Sequence, residues 1–82
     1  MSHSDDVREY CRSSYVAPAR ARGETTVIIR AGDVHKALGY KNRMPLVCAA
    51  LGSKMFEQAS KVERLSVDGP INTSTATFTF RL

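Results

Sequence analysis

One segment in the first sixty residues of this chain reads as a β-strand, and that solitary strand limits the fold more than any other feature. Thr25 to Arg30 is short and dense in β-branched side chains. A lone strand leaves backbone groups unpaired on both edges, and an isolated hairpin is itself marginal in water. Its partners must therefore come from the last third of the chain, where two stretches alternate. Val62 to Val67 sets Leu65 and Val67 against Arg64 and Ser66, and Thr77 to Leu82 sets Phe78, Phe80 and Leu82 against Thr77, Thr79 and Arg81. Between them Asp68-Gly69-Pro70 signals a turn, and Ile71 to Thr75 shows no core pattern. The expectation is a hairpin with a long polar tip, joined by the earlier strand into a three-stranded antiparallel sheet.

The remainder reads as helix. Val7, Tyr10, Cys11, Ser14 and Tyr15 recur on one helical face, with Ser4 as N-cap and Asp5 and Asp6 in the first turn, predicting a helix over Ser4 to Tyr15. Residues 16–24 carry Pro18, Arg20, Arg22 and Gly23 without a period and read as a loop, because Pro18 stops a helix running through it. After the strand, Val34, Ala37 and Leu38 form a short stripe with Asp33 in its first turn and Gly39 at its end. Tyr40 and Lys41 form a tight connection to a further helix, which Asn42 caps and Pro45 enters in its first turn. Met44, Val47, Cys48 and Leu51 are its buried face, and Gly52 and Ser53 mark its end. Met55 and Phe56 begin at most one further turn, and Ala59 to Lys61 is a connector.

The chain is 82 residues long, enough for one domain and too short for two. We expect a single domain over 1–82, with residues 1–3 frayed or disordered. A hydrophobic share of 43% and a charged share of 24% fit a globular fold. No apolar run approaches the roughly 20 residues that span a bilayer, so no membrane partner is expected. The polar, acidic start does not read as a signal peptide. Two cysteines, Cys11 and Cys48, are too few for a disulfide scaffold and lie on apolar stripes. Buried thiols and a cytoplasmic location are the expectation.

The net charge of +4 conceals an asymmetry. Residues 1–11 carry −2, residues 12–54 carry +6, and residues 55–82 balance at zero. The positive excess lies in Arg12, Arg20, Arg22, Arg30, Lys36, Lys41, Arg43 and Lys54, against only Glu24 and Asp33. Such a concentration suits an anionic partner, and it equally suits a solvated basic face kept for solubility.

The element order is helix, strand, short helix, tight turn, helix, two-stranded hairpin. Two helices joined by a short turn containing Gly is the helix-turn-helix pattern. From about Ser4 to Leu82 this α+β order, α-β-α-α-β-β, resembles a winged helix-turn-helix domain of three helices and a small three-stranded antiparallel sheet. The stretch from Gly32-Asp33-Val34-His35 to Asn42-Arg43-Met44-Pro45-Leu46-Val47-Cys48 also resembles small prokaryotic modules. The winged-helix resemblance implies double-stranded DNA as partner, with residues 42–52 as recognition helix in the major groove and 68–76 as wing. It further implies a transcriptional regulator or a DNA-targeting module.

Residue by residue, Arg43 is then placed to pair with guanine or to touch phosphate. Asn42 is divided between reading adenine and capping. Lys36, Lys41, Ser53 and Lys54 would flank the groove on phosphates, and Arg20, Arg22 and Arg30 would extend that footprint. Asn72 and Thr73 represent the wing, whose tip holds no positive charge; a phosphate-contacting or idle wing is therefore expected.

Other chemistry has less behind it. His3, Cys11, His35 and Cys48 lack the close pair spacing of zinc sites, so no metal is expected. Asp33 and His35 face apart on a helix, and Cys48 lies on a core stripe, so neither completes a catalytic pair with His35. His35 is expected on the exposed side of its helix, near phosphate. No enzyme activity and no small-molecule cofactor are expected. The alternatives are a winged-helix module that binds protein or RNA without duplex specificity, and a homodimer that uses the first helix with Tyr10 or Tyr15 exposed.

Overall fold

The computed structural model describes residues 3–82. The elements are α1 (His3–Cys11), a π-helical segment (Arg12–Val16), α2 (Ala17–Ala21), β1 (Thr26–Arg30), α3 (Ala31–Ala37), α4 (Met44–Leu51), α5 (Lys54–Ser60), β2 (Glu63–Asp68) and β3 (Thr77–Arg81). The molecule is α+β, with a helical layer on one face of a three-stranded antiparallel sheet. Fraying expected at residues 1 and 2 falls outside the described residues, and His3 already opens α1.

The sheet has the order β1-β3-β2, so the hairpin does recruit the early strand. Val27 and Ile29 of β1 face inward with Phe78 and Phe80 of β3, which they oppose in register. Phe80 meets Phe56 of α5 edge-on at 5.1 Å and stacks parallel to Phe78 at 6.4 Å. Around these rings pack Val7, Cys11, Val16, Val34, Val47 and Leu51, all fully buried. Burial of each large side chain is worth about 1.5–3 kcal/mol. Cys11 and Cys48 are both buried free thiols.

Three expectations are corrected. The chain does not loop after Tyr15; it stays helical from His3 to Ala21. Pro18 is accommodated because the preceding turn widens: the Ala17 N–H reaches back to the Arg12 carbonyl, five residues away. The α-helical bond that proline cannot make is thereby avoided. Val16 and Ala19, both fully buried, supply the reason to continue. Next, residues 54–60 form a full short helix, α5, where one turn and a connector were expected. Ser53 caps it, its Oγ accepting from Phe56 N at 3.2 Å, and Lys61 ends it in left-handed backbone. Lastly, Leu65 and Val67 do not form a buried stripe. A bulge between Arg64 and Ser66 interrupts the pairing with β3, and every residue of β2, one of the two edge strands, is exposed.

The hairpin connection folds back on the molecule. Gly69 turns the chain with φ of +81°, and Asn72 adopts φ of +65°. The Ala76 and Ser74 carbonyls then accept from the first two N–H groups of α3, Ala31 at 2.9 Å and Gly32 at 3.2 Å. No side chain caps α3, so the hairpin loop satisfies donors that would otherwise be orphaned. Gly32 permits the approach: a Cβ there would lie 2.6 Å from the Ser74 oxygen.

Candidate nucleic-acid interface

Arg43 stands at the head of α4, in the N-cap position, with its side chain exposed. Its main chain is held on both sides. The N–H donates to Nε2 of His35 at 3.1 Å, and the carbonyl accepts from Val47 N at 3.1 Å. Asn42 is not the cap; it occupies left-handed backbone with φ of +55°, one of the few conformations of this kind that asparagine takes readily. Its exposed side chain is thereby released from the capping duty expected of it. Lys41 is exposed beside it, and Lys36 is exposed in the last turn of α3.

His35 was expected to face solvent near phosphate. It is half-buried instead, and its ring serves the Arg43 amide. Tyr40 lies edge-on to His35 at 6.1 Å and to His3 of α1 at 5.5 Å, tying the turn to the first helix. Burial pushes the pKa of the Tyr40 hydroxyl up and Asp6 adds to the rise, while the positive charge of Arg43 opposes it.

The exposed face of α4 is Pro45 and Ala49, so this helix offers no polar side chain along its middle. Hydrogen-bonding groups sit only at its two ends. Lys41, Asn42 and Arg43 precede it; Ser53 and Lys54 follow, beyond the roughly 12 Å that its eight residues span. Ser53 does not serve as expected. Its hydroxyl caps α5 and donates to the Ala50 carbonyl at 2.7 Å, so it is occupied within the fold. Lys54 remains exposed.

Arg30 closes β1 and is exposed at the N-terminus of α3. Arg20 and Arg22 are not brought to the same place. His3, at the start of α1, packs on Tyr40, whereas Arg20 and Arg22 lie at the far end of the long helix, roughly 25 Å away. Arg20 donates to the Lys61 carbonyl at 2.5 Å, and Arg22 pairs with Glu24.

At the wing, Thr73 Oγ1 donates to the Pro70 carbonyl at 2.6 Å and also meets Thr75 Oγ1, so its hydroxyl serves the loop itself. Asn72 is exposed, and its backbone N–H faces the Cys48 thiol, whose pKa burial pushes up and this N–H draws down.

Ion pairing sorts the cations. Arg8 pairs with Asp5, Arg12 with Glu9 at 2.5 Å, Arg22 with Glu24, and Arg81 with Glu63 at 2.9 Å. The hydrogen bond to Arg12 holds the Glu9 carboxyl below its ordinary range. Arg30, Lys36, Lys41, Arg43 and Lys54 form no salt bridge among the described residues, and neither do Arg20, Lys61 and Arg64. Among those residues, no group of three His, Cys, Asp or Glu is placed to hold a metal, and no helix is long and apolar enough to cross a membrane.

Sequence reasoning named His35 and Gly32 but missed their roles, as acceptor for the Arg43 amide and as the point of close approach to the hairpin loop. A glycine directly after a strand and at the head of a helix is a legible sign of close backbone approach; nothing local announces the His35 bond. No family model, curated protein or solved structure matches this chain.

Proposed function

We propose that this protein is a winged helix-turn-helix domain that binds double-stranded DNA through α4. The observation that carries this reading is that Arg30, Lys36, Lys41, Arg43 and Lys54, which border α3, its turn and both ends of α4, are exposed and have no carboxylate partner among the described residues. Of the arginines elsewhere, Arg8, Arg12, Arg22 and Arg81 pair with acids, while Arg20 and Arg64 donate from their guanidinium groups to the Lys61 and Gly52 carbonyls. The sheet order and the antiparallel return of the hairpin beside β1 support it.

In this reading α4 enters the major groove, which is about 12 Å wide, close to the helix's own length. Its smooth face of Pro45 and Ala49 permits close approach. Arg43 pairs with guanine O6 and N7, and Asn42, free of capping, reaches adenine. Lys36, Lys41, Arg30 and Lys54 neutralise phosphates and set the register. The wing contributes Asn72 at most, because Thr73 is occupied. The role is transcriptional control, or targeting of a DNA-processing partner, in the cytoplasm of a prokaryote.

The test is a titration of labelled duplex DNA, single-stranded DNA and RNA with the protein. Preferential binding of duplex supports the reading, and preference for RNA contradicts it.

A second reading has an observation of its own. Ile28, 62% exposed, and Leu65, 43% exposed, lie on sheet residues the helices do not cover, which suits a protein partner. A homodimer through α1 has less support, since Tyr10 and Tyr15 are half-buried against the core and edge-on to one another at 6.1 Å.

A further inference from the structure

His35 and Arg43 stand at either end of the α3–α4 turn, and one hydrogen bond joins them. A main-chain amide only donates, so the Nε2 that accepts from Arg43 at 3.1 Å carries a lone pair and the ring proton sits on Nδ1. The bond exists only while the imidazole is neutral. It also takes the place of a cap, because no side chain caps α4. The first half of the turn is held by the Gly39 and Tyr40 N–H bonds to the Lys36 and His35 carbonyls and by the Tyr40 ring, whereas Asn42, directly before Arg43, holds left-handed backbone at φ of +55°.

We propose that His35 is the positioning residue for Arg43 and a proton switch on the turn: neutral, it holds Arg43 at the head of α4, and protonated, it releases it. On the DNA reading above, on which this step rests, the released state gains a cation but no longer fixes the guanidinium that reads a base. Acidification then lowers discrimination between sequences without lowering non-specific affinity.

The surrounding groups leave this outcome intact. Asp33 and Lys36 share α3 with the imidazole, and Lys41 and Arg43 lie across the turn. On the α1 side, Tyr40 separates it from His3, which is 3.9 Å from Asp6. None of these supplies the Arg43 amide with a second acceptor among the described residues.

The test follows the nitrogen-labelled 82-residue chain by NMR from about pH 8 to about pH 5, the span in which imidazoles change charge. The expected result at high pH is a bare Nε2 and a protonated Nδ1 on His35. As the ring gains its second proton, the Arg43 amide should lose roughly two- to tenfold in exchange protection, corrected for intrinsic rates, the worth of one ordinary hydrogen bond. His35→Gln offers an acceptor of similar reach that does not titrate, so protection should persist across the range. His35→Leu should lack it throughout. A protonated Nε2 at high pH overturns the proposal, as does protection in the natural protein that is equal at both ends of the range.

Binding to a selected duplex and to an unrelated one is measured on the same three proteins. The affinity ratio should fall by roughly two- to tenfold on acidification for the natural protein and stay level for His35→Gln. If neither duplex binds while the NMR behaviour is as expected, the DNA reading falls and the His35 switch stands. If the ratio is level although the Arg43 amide is released, His35 does not govern recognition and that part of the proposal is overturned.

Discussion

Arg43 combines a fixed main chain with a free side chain, which is what a base-reading residue needs. Arg43→Ala should weaken binding to a selected duplex by about 1–3 kcal/mol and relax preference at one base pair. Because the side chain is exposed, folding stability should move by less than about 0.5 kcal/mol; fluorescence anisotropy and urea unfolding measure the two effects. Position in the sequence was enough to place Lys41 and Arg43 exposed at the head of α4, since Gly39 ends the preceding helix just before them. It was not enough for Ser53 and Thr73, whose hydroxyls look available until their partners in the fold are known. Cys11 gives a prediction on pH. Burial pushes its pKa up to about 12, above the roughly 8.5 of an exposed thiol. The unfolded chain therefore loses this proton first, so stability from the buried thiol is complete below about pH 8.5 and declines as pH rises toward 12. Cys48 acts in the same direction. Urea unfolding at about pH 7.5 and about pH 9.5 should show a larger drop in the natural protein than in Cys11→Ala. An equal drop in the two contradicts it.

The strands were legible and the long helix was not, for different physical reasons. β-branching in Thr25 to Arg30 and alternation in Thr77 to Leu82 are direct imprints of a half-buried sheet, and β1 and β3 follow them closely. Pro18 argues against a helix at the level of one hydrogen bond, yet a single widened turn evades that objection and keeps Val16 and Ala19 in the core. A π turn has no periodic signature to read. The bulge in β2 is similar, since it leaves Leu65 opposite no residue and sets Val67 opposite Phe78, so the two do not share the single stripe their spacing suggests. The junction between α3 and the hairpin loop is the element contact most exposed to a single change. Gly32→Ala would place a methyl group 2.6 Å from the Ser74 oxygen and force the loop off the helix N-terminus. We expect a loss of about 1–3 kcal/mol in urea unfolding. Faster exchange at the Ala31 amide should accompany it, and unchanged stability would mean the loop yields freely.

Across the whole molecule, the net charge of +4 resolves into ion-paired arginines on several surfaces, the cations bordering α3 and α4, and Arg20, Lys61 and Arg64, which form no salt bridge among the described residues. The segment sum of +6 over residues 12–54 covers the cations bordering α3 and α4 but also Arg12, Arg20 and Arg22, whose guanidinium groups are held by Glu9, the Lys61 carbonyl and Glu24. Lys54→Ala should weaken every duplex about equally and reduce the salt slope by about one, in contrast to the base-selective loss at Arg43. The central claim is duplex binding by this face, and its most direct measurement is a fluorescence titration of duplex DNA across a salt series. With Arg30, Lys36, Lys41 and Lys54 each on a phosphate, the logarithm of affinity should fall against the logarithm of salt with a slope of about −3 to −4. Absence of binding at low salt, or affinity indifferent to salt, would contradict it.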